Sequence, residues 1–308
     1  MTVNGQFLSV LQPVHRFYQW LPVAIDSKTR LVAWLSLVSQ LLIVGTGGAV
    51  RLTGSGLGCP TWPSCTADSL IPTGEMGIHG VIEFGNRLMT FVLIAVAIMM
   101  FLRVVRLRRQ RRDLFVLSLV LGFGIPFQGV IGGITVWTNL NPYVVGLHFV
   151  LSTTLVVLAS VLVWRVYFGN AERVQAAPRW LVIVTHLTSA FVFITILVGI
   201  VTTGSGPHAG DHGAARNGLD SALLQHAHSW PAYITLALSV VILVGAYAVR
   251  TQRLLRFGLL LLAIEAVQVI VGVTQARLGL PELLVGLHMV LACLLASAMT
   301  AVVLSLKK

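Results

Sequence analysis

His148 and His288 each end a Gly-Leu-His tripeptide, at residues 146–148 and 286–288, and each opens an apolar stretch. An imidazole at membrane depth is costly without a partner, so imidazoles that recur at a fixed interval beside hydrocarbon suit a metal or a haem iron. His226 and His228 open another such stretch, and His79, Glu83, Asn86 and Arg87 lie just before or within a third. The spacings of four and three put His79, Glu83 and Asn86 on one helix face. Arg87, four residues after Glu83, supplies its counter-charge; in the plainest reading the two are only a structural ion pair at a helix interface. The plainer alternative for a lone intramembrane histidine is a helix–helix hydrogen-bonding residue. Several at one depth weaken that reading.

The elements that must position these residues are membrane-spanning helices. Of 308 residues, 56% are hydrophobic and 10% charged; with a mean hydropathy of +0.88, this is far from the balance of a soluble domain. Crossing the hydrocarbon of a bilayer takes roughly 20 apolar residues. Eight stretches qualify, at 31–50, 88–102, 114–136, 144–164, 180–201, 223–249, 254–276 and 283–306. Backbone groups in lipid must be satisfied internally, and continuous rather than alternating apolar runs exclude a closed barrel. The predicted fold class is therefore all-α, a polytopic membrane protein of eight transmembrane helices with the lipid bilayer as its solvent.

A formal charge of +11 would suit nucleic acid if the basic residues formed one patch, but sorting them by loop gives a different answer. Seventeen of the 21 fall on one side: Arg16, Lys28, Arg30, Arg103, Arg106, Arg108, Arg109, Arg111, Arg112, Arg165, Arg173, Arg179, Arg250, Arg253, Arg256, Lys307 and Lys308. Arg51, Arg87, Arg216 and Arg277 fall at the opposite ends. By the positive-inside rule both termini are expected in the cytoplasm, the histidine-bearing ends face outward, and no nucleic-acid partner is implied. Residues 1–27 carry no apolar core followed by a small-residue cleavage site, so no removable signal peptide is expected.

Constant offsets reveal an internal repeat. A shift of 140 carries Gly146-Leu147-His148 onto Gly286-Leu287-His288, Gln128 onto Gln268, Gly132 onto Gly272, and Asn86 onto His226. Thr53-Gly54-Ser55-Gly56 recurs as Thr203-Gly204-Ser205-Gly206 at a shift of 150, which makes the first outer loop ten residues longer than the second. Two tandem four-helix halves are predicted, 1–172 and 173–308, related by a pseudo-two-fold axis along the membrane normal.

Imidazoles from alternate helices of a four-helix bundle suit the axial positions of a haem. Zinc or copper would want tetrahedral or trigonal clusters with cysteine or carboxylate, and no Cys-x-x-Cys or His-x-x-x-His lies in a helix. His226 and His288 make the expected axial pair. His228, turned about 200° from His226, is the competitor, and only one of the two can face the iron. The halves differ in their acids: Glu83 in the first has no counterpart in the second, where Ala222 and Leu223 stand. One reaction site in the first half and one cofactor site in the second follow from that asymmetry.

Cys59 and Cys65, within Gly58-Cys59-Pro60-Thr61-Trp62-Pro63-Ser64-Cys65 on the oxidising side, read as a disulfide and chiefly as a loop staple. Cys293 reads as a small buried apolar residue. His208 and His212 in the second outer loop are weaker candidates for a metal or a propionate, with a polar surface loop as the plainer reading. Glu265, in the middle of the seventh stretch, requires a partner that spacing does not name.

In combination these residues resemble the bacterial haem A synthases. The likeness runs from Arg51-Leu52-Thr53-Gly54-Ser55-Gly56 through Ile82-Glu83-Phe84-Gly85-Asn86-Arg87 to both Gly-Leu-His motifs. It implies an oxidoreductase that converts a ring methyl of haem O to the formyl group of haem A by successive hydroxylations with water-derived oxygen. It also implies haem b as cofactor in the second half on His226 and His288, with substrate haem O in the first half beside Glu83 and on His148. The cysteine pair of the family matches Cys59 and Cys65. Implied partners are haem O, the farnesyltransferase that forms it, and an unidentified electron acceptor; the implied place is the cell membrane. Where the family has Glu-x-x-His-Arg, this chain has Glu83-Phe84-Gly85-Asn86-Arg87, so a fourth histidine is missing and His79 is the available substitute. The second outer loop also lacks the family's cysteine pair. Competing readings are a non-catalytic b-type electron-transfer cytochrome, against which Glu83 argues, and a repeat-built transporter, whose sites would lie at the midplane rather than the outer edge.

Overall fold

The structure is a computed structural model that describes residues 16, 18–169 and 175–307; Arg173 and Lys308, counted above among the basic residues, lie outside them. Among the described residues there are eight long helices: α1 (Ser27–Leu52), α2 (Gly77–Val104), α3 (Arg112–Trp137), α4 (Pro142–Phe168), α5 (Arg179–Ser205), α6 (Ser221–Ala248), α7 (Gln252–Arg277) and α8 (Glu282–Leu304). All eight are long and apolar enough to cross a bilayer. The protein is an all-helical, multi-pass membrane protein. Large apolar side chains such as Phe91, Phe123, Ile270 and Leu283 stand exposed on the helix surfaces, as they must where the solvent is lipid.

Local chemistry fixes the helix ends. Asp26 caps α1 by accepting from the Thr29 amide at 2.8 Å and from its hydroxyl. The Arg103 guanidinium also donates to Asp26 and holds its carboxyl well below the usual carboxylate range. Asn141 caps α4 ahead of Pro142, and Asp220 caps α6 through the Ala222 and Leu223 amides. The tight turns before α4 and α8 each take two left-handed residues, Asn139-Leu140 and Gly279-Leu280. These are counterparts at an offset of 140.

The helices pack as two closed rings: α1 to α4 touch in sequence and α4 returns to α1, and α5 to α8 do the same. The rings meet where α8 lies against α1 and α4, and α4 against α5. Thr153 on α4 touches Cys293 on α8, its own counterpart at the 140 offset, at 3.6 Å. The Ser160 hydroxyl donates to Ser297 one to two turns deeper.

Burial tests the repeat residue by residue. From α3 onward an offset of 140 pairs buried positions with buried positions: Leu114 with Leu254, Leu121 with Leu261, Leu155 with Leu295, Leu162 with Val302. In α2 and α6 it fails, because it would pair Leu93, Met100 and Val104 with the exposed Tyr233, Val240 and Val244. An offset of 142 restores the match, to Thr235, Ile242 and Ala246. The extra two residues are absorbed in the connection between α2 and α3, where Val105–Leu107 forms a single 3-10 turn that the shorter connection between α6 and α7 lacks. Three expectations change. Asn86 corresponds to His228 rather than His226, Glu83 corresponds to Gln225 rather than to Ala222 or Leu223, and the first outer loop, lying between offsets of 150 and 142, is eight residues longer than its counterpart instead of ten.

Candidate functional site

Every histidine singled out on α4, α6 and α8 lies in the first two to three turns of its helix. In the second ring, the imidazoles of His228 and His288 face each other with centroids 6.1 Å apart and planes at 72°. His226 lies on the exposed side of α6. The reason is helical phase: two residues turn a side chain by about 200°, so if one faces the ring interior the other faces lipid. The structure therefore brings His228, and not His226, to face His288.

Both imidazoles are held from the rear. His228 sets Nδ1 3.0 Å from the Thr195 carbonyl, and its Cε1 lies where a Cβ on Gly199 would come within 2.8 Å. His288 sits against Gly272 in the same way, at 2.9 Å. Gln268, one turn before Gly272 on α7, donates to the His288 carbonyl at 3.2 Å and lies 3.3 Å from its Nε2. His288 Nδ1 is buried with no hydrogen-bond partner. Two imidazoles that share a metal through bonds of about 2 Å have their centroids about 6 Å apart. A histidine that anchors one ring nitrogen on a backbone carbonyl and leaves the other uncommitted has the usual arrangement of a metal ligand. The donor set fits a haem iron, and among the described residues no cluster of three His, Cys, Asp or Glu side chains fits another metal.

The first ring repeats the cradle with one imidazole. His148 lies against Gly132, where a Cβ would stand 3.5 Å from its Cε1. Gln128 donates to the His148 carbonyl at 3.1 Å and to Ser152 at 2.6 Å, and His148 Nδ1 is buried without a partner. The Gln–Gly pair found by the offset is the support of each Gly-Leu-His histidine. Opposite, at the position of His228, Asn86 accepts from the Thr46 hydroxyl at 2.7 Å. His79 is exposed, with Nδ1 2.9 Å from Ser55 Oγ, and nothing brings it to His148.

Glu83 is buried, 5% exposed, beneath the first outer loop. Cys59 and Cys65 are disulfide-bonded there and fully buried. Glu83 Oε2 accepts from the Cys59 amide at 2.7 Å, and Oε1 takes the Arg87 guanidinium at 2.5 Å. Arg87 then donates to the carbonyls of Cys59, Thr61, Pro63 and Ser64 at 3.0–3.3 Å. Spacing alone gave the ion pair, but not its attachment to four loop carbonyls. From the same loop Trp62 packs edge-on to Trp137 at 5.5 Å and fills the space a Cβ on Gly133 would need. Gly133 is the neighbour of Gly132, so the stapled loop roofs the end of the ring that holds His148.

A family model described as cytochrome oxidase assembly protein (COX15-CtaA) matches residues 30–300. The chain belongs to this family. Among similar curated proteins, the heme A synthase of Geobacillus thermodenitrificans is 29% identical over 123 residues, 39% of this chain and 37% of its own length. That of Lysinibacillus sphaericus is 29% identical over 188 residues, covering 59% and 57%. That of Staphylococcus epidermidis is 26% identical over 205 residues, covering 64% and 67%. The chain thus spans between about a third and two thirds of the lengths of these relatives. The matched region of the cytochrome oxidase assembly family takes in both histidine sites, Glu83 and the cysteine pair.

Of the weaker candidates, His208 serves the scaffold. His208 sets Nε2 2.8 Å from the Leu280 carbonyl, and its own carbonyl accepts from Arg51 at 2.7 Å, which ties α1 to the second outer loop. His212 is exposed. Glu265 has the partner that spacing did not name: Ser239 on α6 donates to Oε1 at 2.9 Å.

Proposed function

We propose that the chain is a haem A synthase, an oxidoreductase of haem A biosynthesis for cytochrome oxidase, which oxidises the ring methyl of haem O to a formyl group with oxygen from water. The observation that carries this reading is the facing pair of His228 and His288 beside a second, asymmetric site with one supported imidazole and a buried carboxylate. Haem b is the cofactor on His228 and His288, and it supplies one-electron chemistry when bound. Haem O is the substrate, its iron on His148. Residues 1–172 form the substrate half and 173–308 the cofactor half. A pseudo-two-fold axis along the membrane normal is supported by the contact of Thr153 with its own counterpart Cys293.

Glu83 is the residue for the chemistry. Each hydroxylation takes two electrons and one proton from the carbon, the electrons passing to the electron acceptor and the proton to water; the second round leaves a gem-diol that loses water to give the formyl group. Each round adds hydroxide from a water whose other proton must be accepted. A fixed carboxylate stabilises the electron-poor carbon and takes that proton. Arg87 donates to Oε1 from both Nε and Nη2 and the Cys59 amide donates to Oε2; a carboxylate has about four acceptor positions, so one on Oε2 remains. Burial beneath the loop limits the access of bulk water to the Glu83 carboxylate.

The basic inner loops support cytoplasmic termini and haem sites near the outer face. Direct handover from the haem O-forming farnesyltransferase suits a substrate this apolar, and electrons leave to an acceptor reached from the second ring. The test is the visible spectrum and extracted pigment of the purified full chain, followed by incubation with haem O and mass spectrometry. A b-type Soret band and formation of formyl haem are expected. Haem b with no conversion would leave an electron-transfer cytochrome, and no Soret band would revive a transporter.

A further inference from the structure

We propose that Glu265 is a redox-linked proton site: reduction of the iron held by His228 and His288 is accompanied by protonation of this carboxylate in the core of the second ring. The inference rests on the haem b reading above. Glu265 is 4% exposed and its Oε2 has no hydrogen-bond partner. Gln268 Oε1 and Gln275 Oε1, also buried, likewise have none. Spacings of three and ten residues from Glu265 put both glutamines within about 80° of it around α7. A column of uncommitted acceptors therefore runs from the outer end of α7, past the side chain that touches His288, to the middle of the membrane.

The geometry makes coupling to the iron direct. The His288 ring lies between the levels of Gln268 and Gly272, so Glu265 is about five residues below it, roughly 7–8 Å of helix rise. At that range in a low-dielectric core an anion opposes the arrival of an electron. With the iron in place, one electron would reduce Fe³⁺ to Fe²⁺ while one proton converts the Glu265 carboxylate to the neutral carboxyl, the electron coming from any one-electron donor and the proton from water along the glutamine face. The first ring has Ile125 at the counterpart position, so only the ring assigned to the cofactor carries the acid.

Little else is placed to do this. On α6, His228 belongs to the pair, while His226, Tyr233 and Tyr247 are exposed. On α8, His288 belongs to the pair, Glu282 is exposed at the outer end, and Cys293 turns its thiol to Thr153. His186 on α5 is exposed, as are Arg253, Arg256 and Arg277 towards the ends of α7.

The experiment is a mediated redox titration of the purified, haem-loaded full chain from about pH 5 to about pH 9, followed at the Soret band. The wild-type midpoint should fall as pH rises, by up to tenfold in the reduction equilibrium per pH unit, about 59 mV for one electron. Glu265→Gln should flatten this dependence while keeping the bis-imidazole spectrum. Equal slopes in the two proteins would overturn the proposal and leave the haem reading intact. Should Glu265→Gln fail to hold haem, the reduced-minus-oxidised infrared spectrum of the wild type carries the test. A carboxyl C=O band that appears on reduction and moves in Glu265→Asp supports the site; a spectrum without such a band overturns it. A wild-type protein with no haem at all would overturn the reading on which the proposal stands.

Discussion

His228 and His288 face each other across the second ring at 6.1 Å between centroids, and His226 faces away. This arrangement decides between two histidines that lie in one short segment. His228→Ala should abolish the b-type Soret band and His288→Ala should do the same, whereas His226→Ala should keep it. Absorbance of the purified variants at matched protein concentration is the measurement. Bleaching by His226→Ala alone would restore the other pairing.

The glycines behind the imidazoles give a test that leaves every candidate ligand in place. An added Cβ would come within 2.8 Å of His228 at Gly199 and 2.9 Å of His288 at Gly272, but only 3.5 Å from His148 at Gly132. The first two contacts are below the normal van der Waals range and the third is within it, and overpacking of this kind costs typically about 1–3 kcal/mol. Gly199→Ala and Gly272→Ala should therefore lower haem b occupancy at least several-fold, and Gly132→Ala should not. Gly199 matters for haem only if His228 is the ligand, so pigment-to-protein ratio in Gly199→Ala checks the assignment independently.

Eight helices were legible because the bilayer sets a length that few apolar stretches reach by chance. Gln128 and Gln268, and Gly132 and Gly272, were legible as repeat landmarks at the offset of the histidines, but their role as supports came only from the structure. The phase of α6 was not legible. On a membrane helix Leu, Val and Ile fill both the lipid face and the core face, so composition does not reveal a slip of two residues in an inner loop. Only the burial of Thr235, Ile242 and Ala246 does. The carbonyl partners of Arg87 were equally hidden, because a loop without period gives no register in which to count.

Glu83 both props the first outer loop and is the proposed base, and two substitutions separate these roles. Glu83→Gln keeps an oxygen for the Cys59 amide and loses the charge opposite Arg87. It should bind haem b normally and leave haem O, or its hydroxymethyl product, unconverted in the extracted pigment. Glu83→Ala removes the counter-ion and also both oxygens that accept from the Cys59 amide and Arg87, and breaking a buried pair in this way costs about 3–5 kcal/mol. That variant should also melt earlier than Glu83→Gln in a thermal scan. Normal haem A yield from Glu83→Gln would remove Glu83 from the chemistry and leave it as a prop.

The disulfide tests whether the loop roof matters to the first site alone. Cys59 and Cys65 are six residues apart, and closing so short a loop removes about 2 kcal/mol of chain entropy from the open form. Without it, the Cys59 amide on Glu83 and the four carbonyls on Arg87 must be ordered by those hydrogen bonds and by Trp62 against Gly133. Cys59→Ser with Cys65→Ser should therefore reduce haem A formation and expose the loop to limited proteolysis. Haem b on His228 and His288, in the other ring, should stay at its full spectral intensity. Conversion would fall while the Soret band of haem b held. Equal loss of both would mean that the staple supports the whole outer face rather than the site under Trp62.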